Sequence, residues 1–170
     1  MNLPILYHLS FSPVMGGLVK PRAPTGYTGN GGLFGEPDVP RVCFSDIIEG
    51  CFYAVYPNIS HLFEKKKYPY IDMFLYTADT SGLKDHDVML PAMLTEKRFV
   101  HDAHETREYW VLKPVVLTLS KKLRFYNTSS GKDFVSYFPF DDKKEKLRFL
   151  SPYVKYVVLN DYVSPASVKW

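Results

Sequence analysis

The stretch Glu108–Leu119 reads EYWVLKPVVLTL, an aromatic and aliphatic run opened by a glutamate and broken only at Lys113-Pro114. β-Branched and aromatic residues at this density favour extended chain. Pro114 has no N–H to give to a ladder, so it marks a bulge, a bend or an edge. Leu123–Tyr126 lies close enough downstream to pair with this stretch. Working outward, Ile71–Ala78 (IDMFLYTA) is apolar enough for a central strand. Pro4–Ser10 (PILYHLS), Arg41–Ser45 (RVCFS) and Tyr153–Leu159 (YVKYVVL) read as shorter ones.

Helices are fewer. Asp46 and Glu49 have the D-x-x-E spacing of a capping box. Ile47, Ile48, Cys51, Phe52 and Val55 follow on one helical face, and Pro57 is expected to stop it. Glu64–Lys67 (EKKK) reads as a charged turn and Asp79–Asp87 as a loop. Leu90–Glu105 fits either a short helix or irregular chain, and Asp141–Leu150 (DDKKEKLRFL) a short helix with acids at its N-terminus. Strands predominating over two or three short helices give an α+β fold. The expected architecture is a compact single domain over residues 1–170 with mainly antiparallel strands.

Pro13 to Pro40 stands apart. It holds seven of the ten glycines and five of the thirteen prolines, including the run GYTGNGGLFGEPDVP. No packed element is expected at that density of breakers. A loop of this length in a compact domain is commonly functional, and Tyr27, Leu33 and Phe34 within it favour a partly ordered lid.

Composition limits the function classes. The chain has 170 residues, 46% of them hydrophobic and 16% aromatic. That is enough apolar material for a core and the opposite of a disordered composition. A net charge of +3 is too mild to point to nucleic acid. No apolar run approaches the roughly 20 residues that span a bilayer, and Met1–Gly17 lacks the basic start of a signal peptide. Cys43 and Cys51 are the only cysteines, each in an apolar segment. They read as buried small hydrophobes in a reducing compartment, so a cytoplasmic location is expected, without membrane partners.

Motif tests exclude several chemistries. His101-x-x-His104 with Glu105 approaches zinc-ligand spacing but is not H-E-x-x-H, so no metal is expected. Gly26-x-x-Gly29-x-Gly31-Gly32 lacks the G-K-[ST] ending of a phosphate loop. There is no G-x-S-x-G elbow, and the thirteen tyrosines do not fall at the spacing of an RNA-binding motif.

Three segments in order carry a resemblance. They are Tyr7-His8 followed by Ser10, the unit Arg41-Val-Cys-Phe-Ser-Asp46 running on to Ala54 and Tyr56, and Glu108-Tyr-Trp-Val-Leu112. Together, from about Pro4 to Leu119, the series resembles the small members of the ADP-ribosyltransferase-like fold. The resemblance implies a bent NAD in a cleft. His8 would hold a ribose hydroxyl, beside Tyr7, Ser10 and Ser45. Glu108 would stabilise positive charge as the glycosidic bond breaks, and Arg22 or Arg41 would pair with the pyrophosphate. Where the family often places a nicotinamide-stacking tyrosine, this chain has Cys43, and Tyr53 or Tyr56 stands in on the next helix. The family's loop near the glutamate is not recognisable, with His104, Glu105 and Arg107 in its neighbourhood.

That eroded pattern favours a binder over an enzyme. The leading expectation is a nucleotide-binding protein that grips an NAD-derived or cyclic nucleotide ligand. The aromatic-rich small chain also resembles bacteriophage accessory proteins that sequester host immune signals, which would place it in the host cytoplasm. The alternatives are an active ADP-ribosyltransferase or NAD-cleaving enzyme using His8 and Glu108, and a protein-interaction domain with the glycine loop as its docking surface.

Overall fold

The computed structural model describes residues 2–23, 37–64, 68–127 and 154–159. They form an α+β arrangement built on one antiparallel sheet. The strands are β1 (Tyr7–Ser10), β2 (Leu18–Val19), β3 (Val42–Ser45), β4 (Tyr70–Ala78), β5 (Val88–Met89), β6 (Glu108–Val111), β7 (Val115–Asn127) and β8 (Val154–Leu159). Three helices accompany them, α1 (Ile48–Glu64), α2 (Pro91–Glu96) and α3 (Ala103–Thr106). The strand order is β2-β7-β4-β1-β3-β6-β5, with β8 also on β7.

β4 lies inside this sheet, and both of its faces are buried. Ile71, Met73 and Leu75 meet Leu9, Leu123 and Phe125 under Cys51, Phe52 and Phe63 of α1. The ring of Phe52 stacks on that of Phe125 with centroids 4.8 Å apart. On the reverse face Phe74 and Tyr76 join Val42, Phe44, Val111, Val115 and Leu117. A strand buried on both sides reads as a continuous apolar run rather than an alternating one, which is how IDMFLYTA is written. A third cluster sets Leu94, Val100 and Ala103 of the α2–α3 region against Trp110. Among the described residues, no helix is long and apolar enough to cross a membrane.

Several expectations are corrected. α1 runs through Pro57 to Glu64, because the apolar spacing resumes beyond it and Phe63 anchors the last turns in the core. The helix is not opened by a capping box. The Asp46 carboxylate turns away from it, and the Ser45 hydroxyl accepts the Ile47 N–H at 3.2 Å. Leu18–Val19 forms a strand inside the glycine-rich segment, paired with Val116 and Val115. Gly17 permits it by a left-handed backbone (φ +70) and by bringing its carbonyl 2.6 Å from the Leu117 N–H. Arg22 and Arg41 exchange backbone hydrogen bonds of 3.1 and 3.0 Å. Residues 24–36 and the expected helix Asp141–Leu150 lie outside the described residues.

Pro114 separates β6 from β7, which pair with different neighbours. The expected pairing of Leu123–Tyr126 with the preceding stretch does not occur, since Leu123–Tyr126 continues the same strand, β7, as Val115–Leu119, and β6 pairs with β3 and β5 instead. The bulge falls in the β4–β7 pairing, between Leu75 and Tyr76 of β4. Leu90–Glu105 resolves into α2 and α3 rather than one element.

One close approach fixes how α1 seats. A methyl group at Gly50 would drive into the Thr106 carbonyl oxygen and the Ser45 side chain. Gly50→Ala is therefore expected to destabilise the fold by about 1–3 kcal/mol, the usual cost of overpacking, read as a lower urea midpoint with an unchanged slope.

Candidate functional site

The residues singled out by the sequence converge on β1, β3 and β6, but on two different faces. Tyr7 stands opposite Ser45, and Ser45 opposite Glu108. Partners in an antiparallel register project to the same side, so these three share the face that carries the helices. His8, one residue on from Tyr7, projects to the other. There its ring meets that of Phe44, centroids 5.6 Å apart, in a row that continues to Tyr109 through the Phe44–Tyr109 register pair. His8 and Glu108 therefore project to opposite faces, out of phase by one residue across the sheet.

The helix face is occupied by structural contacts. The Ser45 hydroxyl, 2% exposed as a residue, donates to the Thr106 carbonyl at 2.8 Å. Glu108 accepts a hydrogen bond from Trp110 Nε1 at 2.7 Å. Arg41 is 8% exposed, with its guanidinium 3.7 Å from the centroid of the Trp110 ring. The same guanidinium donates to the Pro37 and Val39 carbonyls, both at 3.2 Å. The Phe99 ring stacks on Trp110 at 5.8 Å and 15°. A desolvated cation–π contact contributes about 2 kcal/mol. Arg41 thus serves as an anchor of this corner. Burial, with the charge of Glu108 close by, raises the Cys43 thiol well above its ordinary pKa. Cys51 is pushed up to about 12, mainly by burial, and its Sγ donates to the Tyr7 carbonyl. Both are free thiols with little thiolate character.

His8 is the residue on the reverse face with binding chemistry to offer. Its Nδ1 is 3.0 Å from the Cys43 carbonyl oxygen. A carbonyl only accepts, so Nδ1 carries the proton and the neutral ring keeps a lone pair on Nε2. Burial lowers the His8 pKa below its ordinary value, outweighing the Cys43 hydrogen bond, so the neutral form prevails. Ser10 shares this face, two residues along β1. Its hydroxyl closes a local turn, donating to the Ser12 carbonyl at 2.8 Å.

A neighbouring cluster was missed at the level of sequence. The Asp46 side chain is 3% exposed and pairs with the Arg107 guanidinium, and the Tyr109 hydroxyl lies 3.4 Å from the same carboxylate oxygen. The other oxygen, Oδ1, is buried without a hydrogen bond. Arg107 holds a left-handed backbone (φ 52) where α3 ends and β6 begins. The D-x-x-E spacing disguised Asp46 as a helix cap. The available signal was Tyr109, whose parity along β6 puts it on the opposite face from Glu108.

The other candidates lie apart. The exposed Arg22 contributes its backbone to the bridge with Arg41. Tyr53 packs on the α1 core with its hydroxyl buried and unbonded, and burial raises its pKa. The Tyr56 side chain lies outside the described residues. His101 and His104 are exposed, and among the described residues no group of three or more His, Cys, Asp or Glu gathers as a metal site.

The buried neutral histidine sets a pH dependence. Below its ordinary pKa of 6.5 the unfolded chain protonates His8 while the folded chain resists, so stability falls as pH drops through that value and carries no such penalty above it. Urea midpoints between about pH 7.5 and pH 5 should fall in the wild type. The fall should be shallower in His8→Gln, whose side chain does not titrate.

Comparison with protein-family models, with curated proteins and with solved structures finds no match to this chain.

Proposed function

We propose that this protein binds a nucleotide without turning it over, on the sheet face that carries His8, and that the ligand is NAD-derived or a cyclic nucleotide. The observation that carries the reading is the His8 imidazole. It is neutral, oriented by the Cys43 carbonyl, and has Nε2 left as an acceptor suited to a ribose hydroxyl. The ligand class comes from the resemblance of the Tyr7-His8, Arg41–Asp46 and Glu108–Leu112 segments to ADP-ribosyltransferase-like proteins.

The separation of His8 from Glu108 favours holding over transfer. A transition-state stabiliser must reach the same ribose that the histidine orients, and here a strand's thickness divides them. Glu108 is instead engaged with the indole of Trp110. A protein that holds such a ligand unchanged acts by sequestration, as accessory proteins of bacteriophages do against host signals.

The test is calorimetry and thermal unfolding with NAD, ADP-ribose and cyclic nucleotides, with mass spectrometry of the recovered ligand. At 100 times its dissociation constant, a true ligand adds about 2.7 kcal/mol of stability. His8→Ala should weaken binding by about 3- to 10-fold, one hydrogen bond's net worth, while Glu108→Gln leaves affinity unchanged and the ligand returns intact. NAD cleavage that Glu108→Gln abolishes would overturn this reading in favour of the enzyme. Failure of every nucleotide to stabilise the protein would overturn it in favour of a protein partner.

A further inference from the structure

The Asp46 carboxylate is an anion with half of its acceptor capacity unused. Its side chain is 3% exposed, yet of its two oxygens only Oδ2 has partners, the Arg107 guanidinium and, at 3.4 Å, the Tyr109 hydroxyl. Oδ1 is buried with no hydrogen bond. An ionised carboxylate accepts on both oxygens, and a buried acceptor left without a donor carries the full cost of its lost water. The described residues supply no donor to Oδ1, although a hydroxyl and a guanidinium stand at its sister oxygen. Such an oxygen calls for a donor from outside the chain.

Its place suits a nucleotide held at His8. In the antiparallel register set by Tyr7 and Ser45, His8 falls opposite Phe44, and Asp46 follows two residues later. One strand across and two residues along is about 8 Å between backbones at ordinary sheet spacing, comparable with the reach from a ribose hydroxyl to the far edge of its purine. Tyr109 continues the His8–Phe44 row and brings its hydroxyl to the carboxylate. The open groups select the base. Adenine presents an amino donor beside the ring acceptor N1, which complements a free carboxylate oxygen beside a guanidinium. Guanine would add a second donor, and the second oxygen is already taken. Arg107 can adjust to the base, because its side chain is 53% exposed and Asp46 is the one hydrogen-bonding partner of its guanidinium among the described residues. The N–H groups that remain, out of five, are open to N1.

We propose that Asp46 and Arg107 read the adenine edge of the bound nucleotide, with Oδ1 accepting from the amino group and Arg107 donating to N1. The inference rests on the nucleotide reading and names the base of its ligand. The half-exposed Arg107 side chain shifts to admit the amino group to Oδ1 and keeps its bond to Oδ2.

The experiment is calorimetry with ADP-ribose and cyclic AMP, each set against its purine counterpart in which hydrogen replaces the amino group. Wild type should bind the amino-bearing member of the pair it recognises about 10- to 100-fold more tightly, as for a hydrogen bond to a charged group. This comparison needs no variant to fold. In Asp46→Asn, checked by thermal unfolding, the preference should shrink to that of a neutral bond, about 3-fold. Arg107→Gln should weaken both members alike, because both keep N1, an outcome that a purely structural role for the pair would not produce. Equal binding of the two members by wild type would overturn this inference and leave the nucleotide reading standing. So would a preference that survives Asp46→Asn in full, or an Arg107→Gln variant that binds both members as wild type does. Binding of no nucleotide at all would overturn the nucleotide reading and this inference with it.

Discussion

Where the turn from β3 into α1 meets the turn from α3 into β6, a single hydroxyl ties the two together. Ser45 Oγ donates to the Thr106 carbonyl and accepts the Ile47 N–H, and Gly50 allows the first turn of α1 to press against the same carbonyl. The buried Asp46 carboxylate, paired with the exposed Arg107 guanidinium, closes the seam from the other side. Its consequence is register. With Ser45 opposite both Tyr7 and Glu108, every side chain of β1, β3 and β6 is assigned to a face, and a slip of one residue would exchange the faces wholesale.

That assignment decides what chemistry the sheet offers. On the helix side Arg41, Trp110, Glu108 and Phe99 satisfy one another and are largely withdrawn from water. On the other side His8 keeps an acceptor, and the Asp46 carboxylate keeps an oxygen without a hydrogen bond. Glu108 is engaged with the Trp110 indole, and His8 takes the recognition role only in the binding reading proposed above.

Much of the fold was legible. The apolar runs at Arg41–Ser45, Ile71–Ala78 and Tyr153–Leu159 coincide with β3, β4 and β8 to within a residue, because runs rich in β-branched and aromatic residues announce themselves by composition. The α1 face of Cys51 and Phe52 was legible by its spacing. Pro57 misled because local propensity was outweighed by the anchoring of Phe63 further along. Leu18–Val19 was hidden among glycines because its strand identity comes from pairing with Val116 and Val115 of β7, far away along the chain.

The site was less legible than the fold. The resemblance implied that His8 and Glu108 serve one cleft, but the face each one takes depends on pairings between residues far apart in sequence. Asp46 and Arg107, likewise sixty-one residues apart, meet only once the seam closes. The measurement that reaches this point most directly is the pattern of nuclear Overhauser effects from the His8 ring protons. Contacts to the Phe44 ring, with none to the Trp110 indole, are the expected result. Contacts to the indole in place of Phe44 would put His8 and Glu108 on one face and contradict the separation on which the binding reading depends.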